Sequence, residues 1–362
     1  MKKADPTRTA ALAGIVLSIM VLLWTADSML ARVERGETQS EAHGYWSKGM
    51  SLLAGGHPAE AEDLLRKAYV IDRANASYGL DLAAALTNSG KFDDAAELIG
   101  DLLNASPNDG PTNLAAARLA VRRGNLEDAK AYYHRAIYGA WAQDARSHRI
   151  ETRLELAGLL DSSGEGTELL AELLPLEPEV QGDPANEKRV AALYLRAHSP
   201  SRAAEAYRAL IAAHGGDVDV YSGLGEADLA LADYAAAENA FRAALRQEPG
   251  NPEIQARLEL ATNMGGLDPT LRRLTSREKY DRSVRLLEAV RDSFSRCAAP
   301  NPDLEEADKI LKKRTPGYVT NEAAEQLLGV AERLWRARLR ECGTAVSPAE
   351  EPVNRVISML SQ

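Results

Sequence analysis

Residues 76–109 read ASYGLDLAAALTNSGKFDDAAELIGDLLNASPND. Small residues stand at Ala83 and Ala95, Gly90 lies between them, and Pro107 is near the end. Shifted back by 34 residues, the same places hold Gly49, Ala61, Gly56 and Arg73; shifted forward, they hold Ala117, Ala129, Gly124 and Trp141. The small residues recur in both directions and the proline does not. Val218–Asn251 repeats the pattern with Gly225, Ala237, Phe241, Ala244 and Pro249. A fixed period of this length predicts a stacked array in which each unit is one supersecondary element. Within 76–109, Asp93 and Asp94 open a second helix, where carboxylates suit the helix dipole, and prolines such as Pro107 and Pro249 stop helices.

Six units follow, starting at Ala42, Ala76, Gly110, Ile150, Pro184 and Val218. The first three share one phase and the last three another, with a six-residue insertion between the sets. This pattern resembles the tetratricopeptide repeat family. The resemblance implies helix–turn–helix units with small residues at positions 8, 20 and 27. Large residues are expected at 4, 11, 17 and 24, and a proline at 32. Position 8 is small in every unit (Gly49, Ala83, Ala117, Ala157, Ala191, Gly225), and position 20 in all but the fourth, where Leu169 departs. Small side chains at 8 and 20 let the two helices of a unit cross closely. Leu86, Phe92 and Ile99 fill the flanking space. No unit buries its apolar face alone, so the expected fold is all-α: an α-solenoid of six to seven units with a concave groove. Units four and five are degenerate: Pro175 and Pro178 are expected to end a helix early, and Pro200 lies in a turn. Pro252–Asn263 reads as the first half of a seventh unit.

The composition agrees. The 362 residues include 62 Ala and 26 Gly but only three Phe, which suits close-packed helices and disfavours a large sheet. The net charge of −10 disfavours nucleic-acid binding, which needs cations on phosphates.

Thr9–Ala26 is eighteen residues without a charge, flanked by Lys2, Lys3 and Arg8 before it and Arg32 and Arg35 after it. Eighteen helical residues span about 27 Å, most of a hydrocarbon core. Three readings stand: a buried helix, a cleaved signal peptide, or an uncleaved signal anchor, with the last favoured because no polar stripe and no clear cleavage site follows. The expected organisation is a basic tail (1–8), a transmembrane anchor (9–31), a linker (32–41), repeats one to three (42–143), an insertion (144–149), repeats four to six with a capping helix (150–265) and a C-terminal helical domain (266–362). The positive-inside rule puts the N-terminus in the cytoplasm and the body outside it, in the periplasm if the cell is bacterial.

Beyond Gly266 the period is lost. Ser276–Cys297, Asp303–Arg314 and Asn321–Cys342 read as three amphipathic helices, with a weaker one at Pro348–Leu360. If they run up, down and up, Cys297 and Cys342 fall at one end, and an even count in an exported body makes a disulfide reasonable. Two unrelated buried thiols are the other reading.

No phosphate-binding loop, metal-binding pair of histidines, nucleophile elbow or dinucleotide motif is present, and no metal or cofactor is implied. The expected work is recognition, not catalysis. The family resemblance implies a groove lined by positions 2, 5, 9, 12 and 13 of each first helix. Those positions include Trp46 and Met50, Asn88, Arg118 and Arg122, Lys188 and Arg196, and Glu226. The apolar end at Trp46 and Met50 is expected to anchor a side chain, and the basic middle to hold a carboxylate. At the break between the two phases, Tyr133, Ile137 and Trp141 either expose a patch or plug the joint. The expected function is a membrane-anchored scaffold that binds a protein or peptide segment in assembly of an extracytoplasmic or membrane complex. The alternatives are a cytoplasm-facing docking receptor for import or secretion, and an enzyme with its chemistry in the C-terminal helices.

Overall fold

The computed structural model describes residues 6–297, 302–313 and 319–360, and at most positions between 6 and 35 it describes the backbone only. These residues form seventeen α-helices and no strand. The chain divides into two compact units, 1–159 and 160–362.

In the first unit α1 (Pro6–Ala54) pairs with α2 (Pro58–Ile71), α3 (Ala76–Asn88) with α4 (Phe92–Ala105), and α5 (Gly110–Arg122) with α6 (Leu126–Ile137); α7 (Ala145–Ser162) follows. In the second, α8 (Gly166–Glu179) is followed by the pairs α9 (Pro184–Arg196) with α10 (Pro200–His214) and α11 (Val218–Ala230) with α12 (Tyr234–Gln247). Then come α13 (Pro252–Leu267), α14 (Ser276–Ser295), α15 (Pro302–Lys312), α16 (Asn321–Glu341) and α17 (Glu351–Leu360).

One turn recurs six times. After each first helix a residue takes up the left-handed region: Gly56, Gly90, Gly124, Gly164, His198 and Ala232, with φ from 53° to 78°. At Gly90 its N–H donates to the Thr87 carbonyl at 3.1 Å, and the next N–H, from Lys91, donates to the Leu86 carbonyl at 2.9 Å. The same two bonds close all six turns, the arrangement that satisfies the last carbonyls of a helix. Successive turns are 34 residues apart except for the step of 40 between Gly124 and Gly164.

The starts of the first helices are periodic too. Asn75, Asp109, Asp183, Asp217 and Asn251 cap α3, α5, α9, α11 and α13, each side chain accepting a backbone N–H two or three residues on. The equivalent places before the remaining two hold Glu41 and Arg149, which are poor caps. There no helix begins. α1 runs without a break through 32–41, where a linker was expected, and α7 starts at Ala145, inside the expected insertion. The stretch 32–41 is mostly good helix formers (Arg32, Glu34, Arg35, Glu37, Gln39, Glu41), with Gly36 the strongest residue against a helix and no proline. Among the described residues no helix is long and apolar enough to cross a membrane. The anchor expected at 9–31 falls on positions whose side chains lie largely outside that description.

The crossing positions are buried as close packing requires. Ala61, Ala95, Ala129, Ala203 and Ala237 at position 20 have no exposed surface, and neither do Ala117, Ala157 and Ala191 at position 8. A Cβ on Gly49 would lie 2.8 Å from Leu65, and one on Gly225 2.5 Å from Phe241. In the fourth pair Leu169 takes the place of the alanine and is itself fully buried with Leu173 and Leu176. That apolar stripe carries α8 through Pro175 and Pro178, which do not end it as expected.

The six-residue slip is absorbed locally. The Gly110 N–H donates to the Ala140 carbonyl and the Ala140 N–H to the Asn108 carbonyl, both at 2.8 Å. Trp141 lies against Gly110, where a Cβ would overlap its ring, donates its indole N–H to the Ala136 carbonyl at 2.9 Å, and stacks on His148 with centroids 4.5 Å apart. Tyr133 and Ile137 are buried. These three side chains plug the joint, and Tyr138 is the large apolar side chain of this stretch that is mostly exposed, at 75%.

In the second unit the core of α11 and α12 continues into the C-terminal helices: Phe241, Met264, Leu287, Phe294, Leu334, Trp335 and Val356 belong to one buried cluster. Cys297, just past α14, and Cys342, at the end of α16, are joined by a disulfide with Cα atoms 5.8 Å apart. Beside it lies a buried polar knot. The Arg338 guanidinium donates to Glu350 at 3.0 Å, to the Gly343 and Ala345 carbonyls at 3.0 and 2.9 Å, and to Ser293 at 3.3 Å. Glu350 also accepts from the Ser293 hydroxyl and from the Ser347 N–H and hydroxyl. Burial raises the Glu350 carboxyl, but those donors and the Arg338 charge outweigh it and hold it at about 2.

Candidate functional site

Each unit carries a groove on the face of its first helices. In the first, α3, α5 and the start of α7 enclose about 710 Å³ over a floor that includes Leu80, Leu114 and Val121, with Asn88, Arg118 and Arg122 on its walls. In the second, α9, α11 and α13 enclose about 860 Å³ lined by Leu195, Arg196, Asp219, Ser222 and Glu226 among others. Most of the side chains singled out by repeat position therefore converge. The exceptions are informative. Trp46 and Met50 are half-buried and pack against the core around Leu82 and Leu86. They serve as packing, because the Trp46 indole N–H donates to Asp81 at 2.6 Å and its ring lies 6.0 Å from that of Tyr78. Lys188 lines a neighbouring cleft with His214 and Asp217.

Several polar side chains in and beside the grooves are paired between one first helix and the next. Trp46 on α1 holds Asp81 on α3. Arg118 on α5 holds Glu155 on α7 through two nitrogens, at 2.9 and 2.8 Å, and Tyr133 donates to the same carboxylate at 2.8 Å. Asp161 on α7 pairs with Arg196 on α9. Lys188 on α9 bridges Asp217 and Asp219, the cap and first turn of α11, at 2.9 and 3.0 Å. Glu226 on α11 pairs with Arg257 on α13 at 3.0 Å. Each pair is separated in sequence by about one repeat. Burial raises the Glu155 carboxyl, and the Arg118 and Tyr133 hydrogen bonds more than reverse this and lower it. Burial raises Glu226 despite Arg257.

This ladder corrects the expected basic middle. The Arg118 fork already holds a carboxylate of its own chain, as do Lys188 and Arg196. Arg122 is exposed at the end of α5 beside exposed Asn88, at the α3–α5 step, where no such pair is formed among the described residues. Position 6 supplies Asp81, Glu155 and Arg257 and is not among the groove positions that the family resemblance implies. Opposite charges on first helices about one repeat apart were the available signal. Among the described residues no group of three or more His, Cys, Asp or Glu side chains could hold a metal ion.

A tetratricopeptide repeat family model matches residues 52–119 and 194–259. No curated protein matches the chain. Solved structures similar to it include PilF of Pseudomonas aeruginosa (17% identity, 60% of this chain and 97% of that one, TM-score 0.42). Others are PilW, described as a type IV pilus biogenesis factor (17%, 60% and 98%, TM-score 0.43), and YrrB, described as a repeat protein with an unusual peptide-binding site (13%, 53% and 95%, TM-score 0.42).

Proposed function

We propose that this chain, a tetratricopeptide-repeat protein, is a non-catalytic adaptor that holds a protein or peptide segment in the grooves of its first helices. The observation that carries the reading is the convergence of repeat-register side chains on two open grooves with apolar floors, over 700 Å³ each. Pre-paired charges keep the walls rigid, and a rigid groove loses little entropy when an extended segment enters. Groove filling tests it. Ala84→Trp together with Ala192→Trp, both on groove walls, should abolish co-purification of bound protein while leaving the helical content unchanged. Undiminished recovery from both filled grooves would refute the reading.

The adaptor is anchored by the uncharged stretch 9–26 and faces away from the cytoplasm, where it assists assembly of an extracytoplasmic or membrane complex. The support is the stretch itself, its N-terminal basic residues and the even cysteine count. Tethering would raise the effective concentration of partner and membrane-bound targets without new contacts. Resistance of the chain to alkaline extraction from membranes, and protease access to its body only after the outer barrier is opened, are the expected results; release by alkali would exclude the anchor.

A further inference from the structure

The second unit's groove carries the larger excess of carboxylates, and that excess points to the chemistry of its partner. Residues 184–267 carry eight Lys or Arg against eleven Asp or Glu. Four carboxylates line the groove of α9, α11 and α13 (Asp219, Glu226, Glu248 and Glu253) with two arginines, Arg196 and Arg257, and Arg355 on α17, itself paired with Glu351, acts on Glu226 from nearby. Both lining arginines are already engaged, with Asp161 and Glu226. Asp219 is 78% exposed and shares the single charge of Lys188 with Asp217. Among the described residues the Glu248 carboxylate accepts only from the Asn251 amide, at 2.9 Å, and Glu253, exposed at the start of α13, forms no ion pair. The uncompensated charge is therefore negative and stands around the starts of α11 and α13, at Asp219, Glu248 and Glu253, in a lining that also holds Leu195, Val218 and Ile254. Ser222 lines the same groove, and its hydroxyl oxygen has no hydrogen-bond partner among the described residues. In the first unit's groove Asp81 and Glu155 are held by Trp46 and Arg118, and Glu151 and Arg122 in the same lining offset one another in charge.

We infer that the α9–α11–α13 groove takes an extended segment carrying Lys or Arg beside small or apolar residues, the inference resting on the groove reading above. Complementary charge of this kind steers encounter and selects against acidic segments.

The test is fluorescence anisotropy on the full chain with fluorescein-labelled peptides of alternating Ala and Lys, and of alternating Ala and Glu. The Ala-Lys peptide should bind in a salt-sensitive manner and the Ala-Glu peptide much more weakly. Glu248→Lys with Glu253→Lys should weaken the Ala-Lys peptide about tenfold, as expected for two reversed rim charges. Asp219→Asn, which leaves Lys188 paired with Asp217, should weaken it by about two- to threefold. Equal or tighter binding of the Ala-Glu peptide that is lost in Ala192→Trp would overturn the inference and leave the groove reading standing. Ala-Lys binding that survives Ala192→Trp would place the contact outside this groove and overturn the inference, and binding that also survives Ala84→Trp with Ala192→Trp would overturn the groove reading as well.

Discussion

Replacing His198 by glycine is expected to stabilise the α9–α10 pair. His198 and Ala232 occupy the left-handed turn position that glycine fills at 56, 90, 124 and 164. A non-glycine residue there costs roughly 1–2 kcal/mol. Glycine adds roughly 0.5–1 kcal/mol of unfolded-state entropy, which leaves a net gain of about 0.5–1 kcal/mol. His198 is the cleaner site, because it is exposed and its turn bonds to Leu195 and Tyr194 are backbone only, at 3.1 and 2.9 Å. Ala232 packs against the core and would lose a methyl contact. The reciprocal change is Gly90→Ala. A Cβ there meets nothing within 4 Å, so its cost of about 1 kcal/mol would be conformational alone. Native-state hydrogen exchange read by mass spectrometry reports each helix pair separately. Amides of α9 and α10 should exchange about two- to fivefold more slowly in His198→Gly, and those of α3 and α4 faster in Gly90→Ala. Unchanged or faster exchange in His198→Gly, with no effect of Gly90→Ala, would refute the idea that this turn geometry limits local stability.

Gly225→Ala should destabilise the α11–α12 pair by about 1–3 kcal/mol, because the added Cβ would lie 2.5 Å from the Phe241 ring; hydrogen exchange over 218–247 measures it. Arg338→Ala removes the buried partner of Glu350 but leaves it Ser293, Ser347 and, at 3.4 Å, Arg296, so it should cost less than the ~3–5 kcal/mol of a fully stranded charge, and denaturant unfolding of the C-terminal helices would show it. The Glu350 carboxyl is lower in the folded chain than in the unfolded one, so its stabilisation is present above its ordinary value and is lost as pH falls towards about 2. An acid titration of wild type against Glu350→Gln should converge at the low end. Reducing the Cys297–Cys342 bridge, 45 residues apart in sequence, should cost about 4 kcal/mol by loop closure. In an exported body both thiols should resist labelling in intact cells until reductant is added.

Much of the array was legible because it rests on periodic, local chemistry. Gly90 ends a helix by its freedom at positive φ, Ala95 lets two helices cross, and Asp109 caps the next; each acts within a few residues and recurs. The groove walls were legible in outline for the same reason, since Arg118 and Glu226 follow from repeat position. Their charge state was not. Whether Arg118 is open to a ligand depends on Glu155, a full repeat away and across a six-residue slip. Trp46 likewise reads as an anchor until Asp81 and Tyr78 are seen to hold it. The boundary at 32–41 was misread because polar composition resembles a linker, whereas the absence of a cap at Glu41 leaves the helix nothing to start from.

Site-specific photocrosslinking in cells tests the central claim most directly. A photoreactive residue at Asn88 or Ser222, each on a groove wall, should capture the same discrete protein partner or partners reproducibly. One at Arg242, exposed on α12 and outside both grooves, should not. Equal capture from Arg242, or none from either groove, would contradict the account.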